Sequence, residues 1–454
     1  MHFQPSKITL QEITQFLEKI EQSVYEPLAD LELTAWTTKE PVPFKEREQG
    51  KKALPKKGEK WGELFDCAWF RFTGTVPSSA GEREVVLLID LSGELLVVDA
   101  EGNPDQGLTT AASFYDFSLG KPGKKVYYPL KPLRPGNRVD LWADAGNNDL
   151  FGILQNNGTV QEACIAAYHP DRFALSHDYG VLLDLLQQIP AASARHQKIL
   201  FALWNAKQEL VDFSADRVAG ARGHLAKELQ KKNGDVSLRF SAIGHAHLDL
   251  AWLWPMRESF RKGARTFAHV LKMMDRYPDF RFCASQAQLY QWIKDQYPSL
   301  YERVKQRIED GRWDAVTASW VEFDTNVPWG EALVRQFLYG KLFARKEFSM
   351  DVKVLLLPDS FGYNGALPQI MKKSGVDYFV TTKMSWDRYN AYPHHTFFWE
   401  GIDGSRVLTH LPPEGTYNSP VTPKVIRTAE QEYLDKAVAE DALLVFGIGD
   451  GGGG

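Results

Sequence analysis

Hydrophobic and polar positions change rhythm several times along the chain. Over residues 7–24, Ile8, Ile13, Phe16, Leu17, Ile20 and Val24 recur at helical spacing, which predicts an amphipathic helix. Residues 40–62 are rich in Lys, Pro, Gly and Glu and read as an exposed loop. Between residues 64 and 168 short apolar runs take over, among them "FDCAWFRFTGTVP", "EREVVLLIDLSG", "ELLVVDAEGN", "KKVYYPL" and "NRVDLWADAG". Gly, Pro, Asn and Asp punctuate them, the texture of an antiparallel all-β unit, a sandwich. Residues 179–232 turn helical, with "GVLLDLLQQI" and "HQKILFALWNAKQELVDF" as the most periodic pieces. "KKNGD" then closes that part with a turn.

From residue 236 the pattern alternates. "SLRFSAIGHAHLD", "FRFCASQA", "WDAVTASWVEFD", "VKVLLLPDSFG" and "YFVTTK" read as strands, with helical segments between them. One of these, "YQWIKDQYPSLYERVKQRIEDG", carries a proline break. Strands alternating with helices predict parallel βαβ units and an α/β fold.

Composition narrows the function classes. The chain of 454 residues favours two or more domains. A net charge of −5 gives no global attraction to nucleic acid or anionic membranes, so neither is an expected partner. Cys67, Cys164 and Cys283 are odd in number, far apart and in no CxxC spacing, against a disulfide framework or a cysteine-rich zinc site. The N-terminus has no signal-peptide h-region, and no run of about 18 apolar residues is present to span a bilayer. A cytoplasmic protein is the expectation. The 13 tryptophans suit a sugar-binding cleft, but large cores use tryptophan as well.

The α/β part carries the chemistry. Polar groups fall at the carboxyl ends of its predicted strands, where the βα loops of such folds gather catalytic side chains. They are His245, His247 and Asp249 after the first strand, Gln286 after the second, Asp324 after the third and Asp359 after the fourth. Strand side chains alternate, so His247 and Asp249 face one way, as a shared cation requires. His245 has the same parity and is open as a third ligand or as a group that orients the others. Asp324, at the end of an apolar strand, needs a partner for its charge, and a cation would supply one.

With these residues assembled, the sequence resembles the class II α-mannosidases of glycoside hydrolase family 38, in their cytosolic and bacterial branch. The landmarks are "GHAHLDLAWLWP", "CASQAQLYQW", "WVEFDTNVPWGEALVRQFLYG", "PDSFGYNGALPQI", "HLPPEGTYNS" and "FGIGDGGGG", in that order over residues 244–454. The β-rich leader resembles the same branch. The resemblance implies a retaining, exo-acting α-mannosidase on a (β/α)7-type barrel that uses a divalent metal, usually zinc. It implies metal ligands at His247, Asp249 and Asp324, with Asp324 also the nucleophile, and moves His245 outside the ligand set. The general acid/base is implied to come from "HLPPEGTYNS", where Glu414 is the only acid; Asp359 and Asp387 are the other candidates.

Trp252 or Trp254 is expected to floor the sugar pocket, the other to belong to the core, and Trp252 is the choice. Tyr417 and Asp450 are candidate sugar contacts, while Arg335 reads as a salt-bridged helix face. The implied organisation is an N-terminal helix and loop (1–60), a β-sandwich-like domain (61–175), a helical linker (176–235) and a catalytic barrel (236–454), incomplete at its C-terminus. The family's fourth metal ligand, a histidine, is expected after Gly454, so poor activity is expected of the chain as given. The partner is a mannose-containing oligosaccharide or glycan, with linkage, metal and oligomeric state open. Zinc, cobalt and manganese suit the ligand types comparably well. Two competing readings are a metal-dependent deacetylase or amidohydrolase and a non-enzymatic carbohydrate-binding module.

Overall fold

The computed structural model describes residues 7–109, 125–148, 158–232 and 238–451. Strand signals in the first third resolve into two antiparallel sheets packed face to face. One runs, in spatial order, Lys51–Ala53, Glu32–Thr38, Cys67–Thr75, Arg138–Gly146, Glu94–Val98 and Pro104–Thr109. The other runs Tyr25–Asp30, Glu162–Tyr168, Glu84–Asp90 and Val126–Tyr127. Alternating residues from both, such as Phe70, Phe72, Leu87, Ile89, Val97 and Ile165, form the core between them. The unit takes its first strands from Tyr25 and Glu32, ahead of residue 61, where the sequence pattern had placed its start.

Helix Lys7–Gln22 joins the helical segment. Ile13, Phe16 and Ile20 pack on Leu175, Tyr179 and Leu182 of helix Pro170–Gln188 and on helices Ala194–Glu209 and Ala215–Leu229. The amphipathic face read from the sequence therefore serves a helical cluster.

Among the described residues, the α/β part contains the expected parallel strands but not one closed barrel. Trp313–Ala315, Phe282–Ala284, Arg239–His245 and Asp441–Gly447 form one parallel sheet. Val354–Leu356, Tyr378–Val380 and Arg406–His410 form a second, with Thr396–Glu400 antiparallel at its edge. Inward residues of both, including Ile243, Cys283, Val316, Leu356 and Val380, share one apolar cluster. The ladders fail at two seams for a local reason. Strands Trp313–Ala315 and Val354–Leu356 are three residues long, and the chain leaves Ala315 with its amides turned inward, Val316 to the Ala284 carbonyl and Thr317 to that of Ala315. At the other seam the His410 ring, through Nε2, takes the Leu443 amide that a neighbouring strand would have used (3.1 Å).

Helix Met256–Arg276 binds the β unit to the α/β part through buried charge. Arg261 grips Asp144 with both arms of its guanidinium. Lys262 meets Glu94 (2.7 Å), Arg265 meets Glu94 and Glu258, and Lys272 meets Asp105 (3.1 Å). Four cations thus face four carboxylates out of water. Burial alone would push Glu258 up, but Arg261 and Arg265 outweigh it and hold the carboxylate down at about 2. Among the described residues no helix is long and apolar enough to cross a membrane.

Candidate active site

The strand Arg239–His245 ends on His245, so His247 and Asp249 lie beyond it. They still face one way, because extended backbone pairing continues. Leu248 bridges Gly451, and the Asp249 amide donates to the Asp450 carbonyl (2.8 Å). Leu248 points into the core at 1% exposure, which turns both neighbours to the opposite side. The same bridge carries Asp450 to the site.

His247 is the centre. Its Nδ1 lies 2.8 Å from Glu322 Oε2, and Ser285 in turn donates to Glu322. Its Nε2 lies 3.4 Å from Asp359 Oδ2 and 3.7 Å from Asp249 Oδ1. Asp450 completes a group whose ligand atoms all lie within 4.8 Å of one another. Burial alone would favour the neutral ring, but Glu322, Asp249 and Asp359 outweigh it and hold the His247 imidazole well above its ordinary range. Both ring nitrogens are buried and, among the described residues, neither makes a well-directed hydrogen bond despite the surrounding carboxylates. A buried imidazole with Asp249, Asp359 and Asp450 gathered about one nitrogen and Glu322 beside the other is a donor set that fits a divalent cation.

The remaining predicted residues fall into two groups. Tyr417 joins the centre: its hydroxyl donates to Asp450 (2.7 Å) and its ring lies 5.1 Å from that of His247. His245 stands behind, with Nδ1 donating to the Cys283 carbonyl (2.9 Å), and burial pushes its imidazole down. Gln286 clamps the loop, donating to the Leu248 carbonyl (2.8 Å) and accepting from the Glu322 amide (3.3 Å). It does so from a left-handed backbone, φ 69°, a conformation an amide side chain adopts at some strain.

Asp324 and Glu414 are not drawn into the group. The exposed Asp324 carboxylate accepts the amides of Asn326 (2.6 Å) and Val327 (3.1 Å), both on Oδ1. Glu414 accepts from Ser419 (2.9 Å), and burial pushes its carboxyl up. Asp387 shapes its own turn, accepting the amides of Tyr389 and Asn390. Arg335 pairs with Glu331 on the helix surface (3.0 Å). Trp254 is core and Trp252 is half exposed, their rings meeting edge to face at 5.7 Å.

Three neighbours were not assigned to the metal group from sequence. Glu322 shares the strand-end segment of Asp324, two residues earlier, and its parity was the available signal. Asp359 stood at a strand end but reads equally as a turn former. Lys383, which pairs with Asp359, closes the predicted strand "YFVTTK", and that strand-end position was its only signal. A cavity of about 220 Å³, lined by His247, Asp249, Gln286, Glu322, Asp359 and Ser360, opens at the centre. The model of the "Glycosyl hydrolases family 38 N-terminal domain" matches residues 237–454, and that of the "Alpha-mannosidase, jelly roll domain" matches residues 27–176.

Residues 237–454 belong to glycosyl hydrolase family 38. The chain is 36% identical to alpha-mannosidase 2C1 of Homo sapiens over 93% of this chain and 41% of that protein. It is 34% identical to alpha-mannosidase G of Dictyostelium discoideum, over 87% of this chain and 37% of that protein. A Saccharomyces cerevisiae alpha-mannosidase is 34% identical over 87% and 38%. The chain therefore spans well under half the length of these relatives.

Proposed function

We propose that this family 38 site hydrolyses terminal α-mannosides of oligosaccharides or glycans with retention of configuration. The observation that carries the reading is the buried His247 nitrogen facing Asp249, Asp359 and Asp450, in a segment that matches the family's N-terminal domain. His247 and Asp249 would hold a divalent cation, zinc by resemblance, with Asp359 and Asp450 within reach. Bound there, the cation supplies positive charge for the sugar's vicinal hydroxyls and for nearby carboxylates.

The chain's own residues divide the remaining work. Asp324 attacks the anomeric carbon, and the bond to the leaving oxygen breaks. Glu414 donates its proton to that oxygen, then takes one from the water that releases the sugar. The upward push on the Glu414 carboxyl supports the acid role, since a general acid must be protonated near neutral pH. Asp324 supports the nucleophile role by position: it follows Glu322, whose carboxylate already touches His247. Tyr417 and Asp450, already bonded to each other, present hydroxyl and carboxylate to the sugar, and Trp252 offers an apolar face. A cytoplasmic setting belongs to the same reading, and all three cysteines are buried free thiols.

The test uses protein stripped with chelator and reloaded with zinc, cobalt or manganese. Mannose release from α-mannosides should return with metal, and a fluorinated mannosyl inhibitor should label Asp324. Label on Asp359 instead would move the nucleophile. Deacetylation without mannose release would favour metal-dependent deacetylase chemistry.

A further inference from the structure

The central cavity has room for a single sugar ring, yet the structure continues past it. Lys383 is 8% exposed and its ammonium pairs with Asp359, at the cavity wall. The same ammonium lies 3.7 Å from the centre of the Trp386 ring, 4.7 Å from that of Phe361 and 5.3 Å from that of Tyr417. A buried cation held by a carboxylate and three aromatic faces is fixed in place, and it fixes the rings in turn. Two of those rings turn outward: Phe361 is 65% exposed and Trp386 61% exposed. They meet edge to face at 6.2 Å, forming an apolar corner next to Asp359 and Ser360 of the cavity wall.

Where this corner sits decides what it does. The Trp386 indole N–H donates to the Gly415 carbonyl (3.0 Å), so its ring is tied to the loop that carries Glu414. The Phe361 carbonyl accepts from Asn326 (3.4 Å), and the next carbonyl, of Gly362, accepts from Thr325 (2.8 Å). These two donors directly follow Asp324. Gly362 allows the approach: its φ is 87°, and a Cβ there would come within 2.4 Å of the Asn326 amide nitrogen. The corner thus spans the loop of the proposed acid and the turn of the proposed nucleophile. In glycoside cleavage the group beside the acid is the departing one.

We infer that Trp386 and Phe361, braced by Lys383, form the subsite that holds the departing sugar and favours it over a small alkyl leaving group. A pyranose has an apolar C–H face that an exposed ring can cover, which a methyl or other small alkyl group lacks. This inference rests on the mannosidase reading and adds to it the residues that bind the departing sugar.

The test compares kcat/KM for a panel of mannosyl-mannose disaccharides with that for methyl α-mannoside, in the metal-loaded protein. Trp386→Ala and Phe361→Ala should each lower the disaccharide-to-methyl ratio about tenfold, the scale of one lost aromatic contact. Trp386→Phe should restore most of the ratio. Saturation-transfer NMR on metal-free protein gives a second readout. The reducing-end sugar's C–H protons should receive magnetisation from wild type and lose it in Trp386→Ala. Hydrolysis of both substrates with an unchanged ratio in both variants would remove the subsite and leave the mannosidase reading standing. Neither hydrolysis nor binding of any mannoside by the wild type would remove both.

Discussion

His247 shows how a single ring organises the site. One nitrogen is held by Glu322 and the other is left to Asp249, Asp359 and Asp450. A carboxylate on the far side of a ligating imidazole sets its orientation and basicity, and losing such a partner costs about 10–100-fold in metal affinity. Glu322→Gln should therefore weaken zinc or cobalt binding by that factor, measured by competitive titration, with an unchanged far-UV circular dichroism spectrum. Equal affinity would mean that Glu322 only fills space. Lys383 acts at the same scale, because it neutralises Asp359 from the side opposite His247.

At the scale of elements, helix Met256–Arg276 connects the metal loop to the β unit. Its N-terminal turn ties back to the loop through Ser259, which accepts from Trp254 and donates to the Leu250 carbonyl. Its middle turns bear the buried ion pairs. Lys262 belongs to both, with its ammonium on Glu94 and 4.5 Å from the Trp254 ring. Lys262→Met removes one of the two cations on Glu94 and leaves Arg265, so it should cost about 1.5–3 kcal/mol in urea unfolding. Gly107 lies against this helix so closely that a Cβ would come within 2.1 Å of the Arg265 carbonyl oxygen. Gly107→Ala should therefore cost about 1–3 kcal/mol, read in the same assay.

The Glu258 carboxylate gives this interface a pH dependence with a definite sign. Its carboxyl is lowered from 4.5 to about 2, so its contribution is full above the unfolded value and is lost as pH falls from 4.5 toward 2. The amount is on the order of 3 kcal/mol. Denaturant titrations from pH 6 to 2.5 should show stability falling through that window, with a smaller fall in Glu258→Gln.

For the whole molecule, the β unit and the α/β part share one core. Trp36, Trp69, Leu96, Val98 and Trp142 from the sheets pack in the same cluster as Ala246, Leu248 and Trp254 from the metal loop. The cluster surrounds the loop on the side away from the cavity. A β unit built as a separable carbohydrate-binding module would not need its tryptophans there. Tryptophan fluorescence and far-UV circular dichroism should accordingly report one coincident thermal transition. Two resolved transitions would show that the shared core does not couple the two parts.

Much of this was legible in one dimension because its causes are local. Short apolar runs punctuated by Gly, Pro, Asn and Asp marked the sheets, apolar spacing marked helix Lys7–Gln22, and strand-helix alternation marked the parallel units. The pair His247 and Asp249 was visible because the two residues flank a buried leucine. Other features depended on contacts that sequence order does not encode. The parallel strands were expected to close into a barrel, but three-residue strands end before their ladders can join. Asp359 and Lys383 stood at the ends of two predicted strands, but only folding set them against His247 and each other. The four-by-four lattice of buried charges was hidden because each member alone reads as a solvated surface residue. The sequence by itself determined which residue types stand at the strand ends. Only the tertiary structure decided which of them share one centre, because that depends on where several distant loops converge.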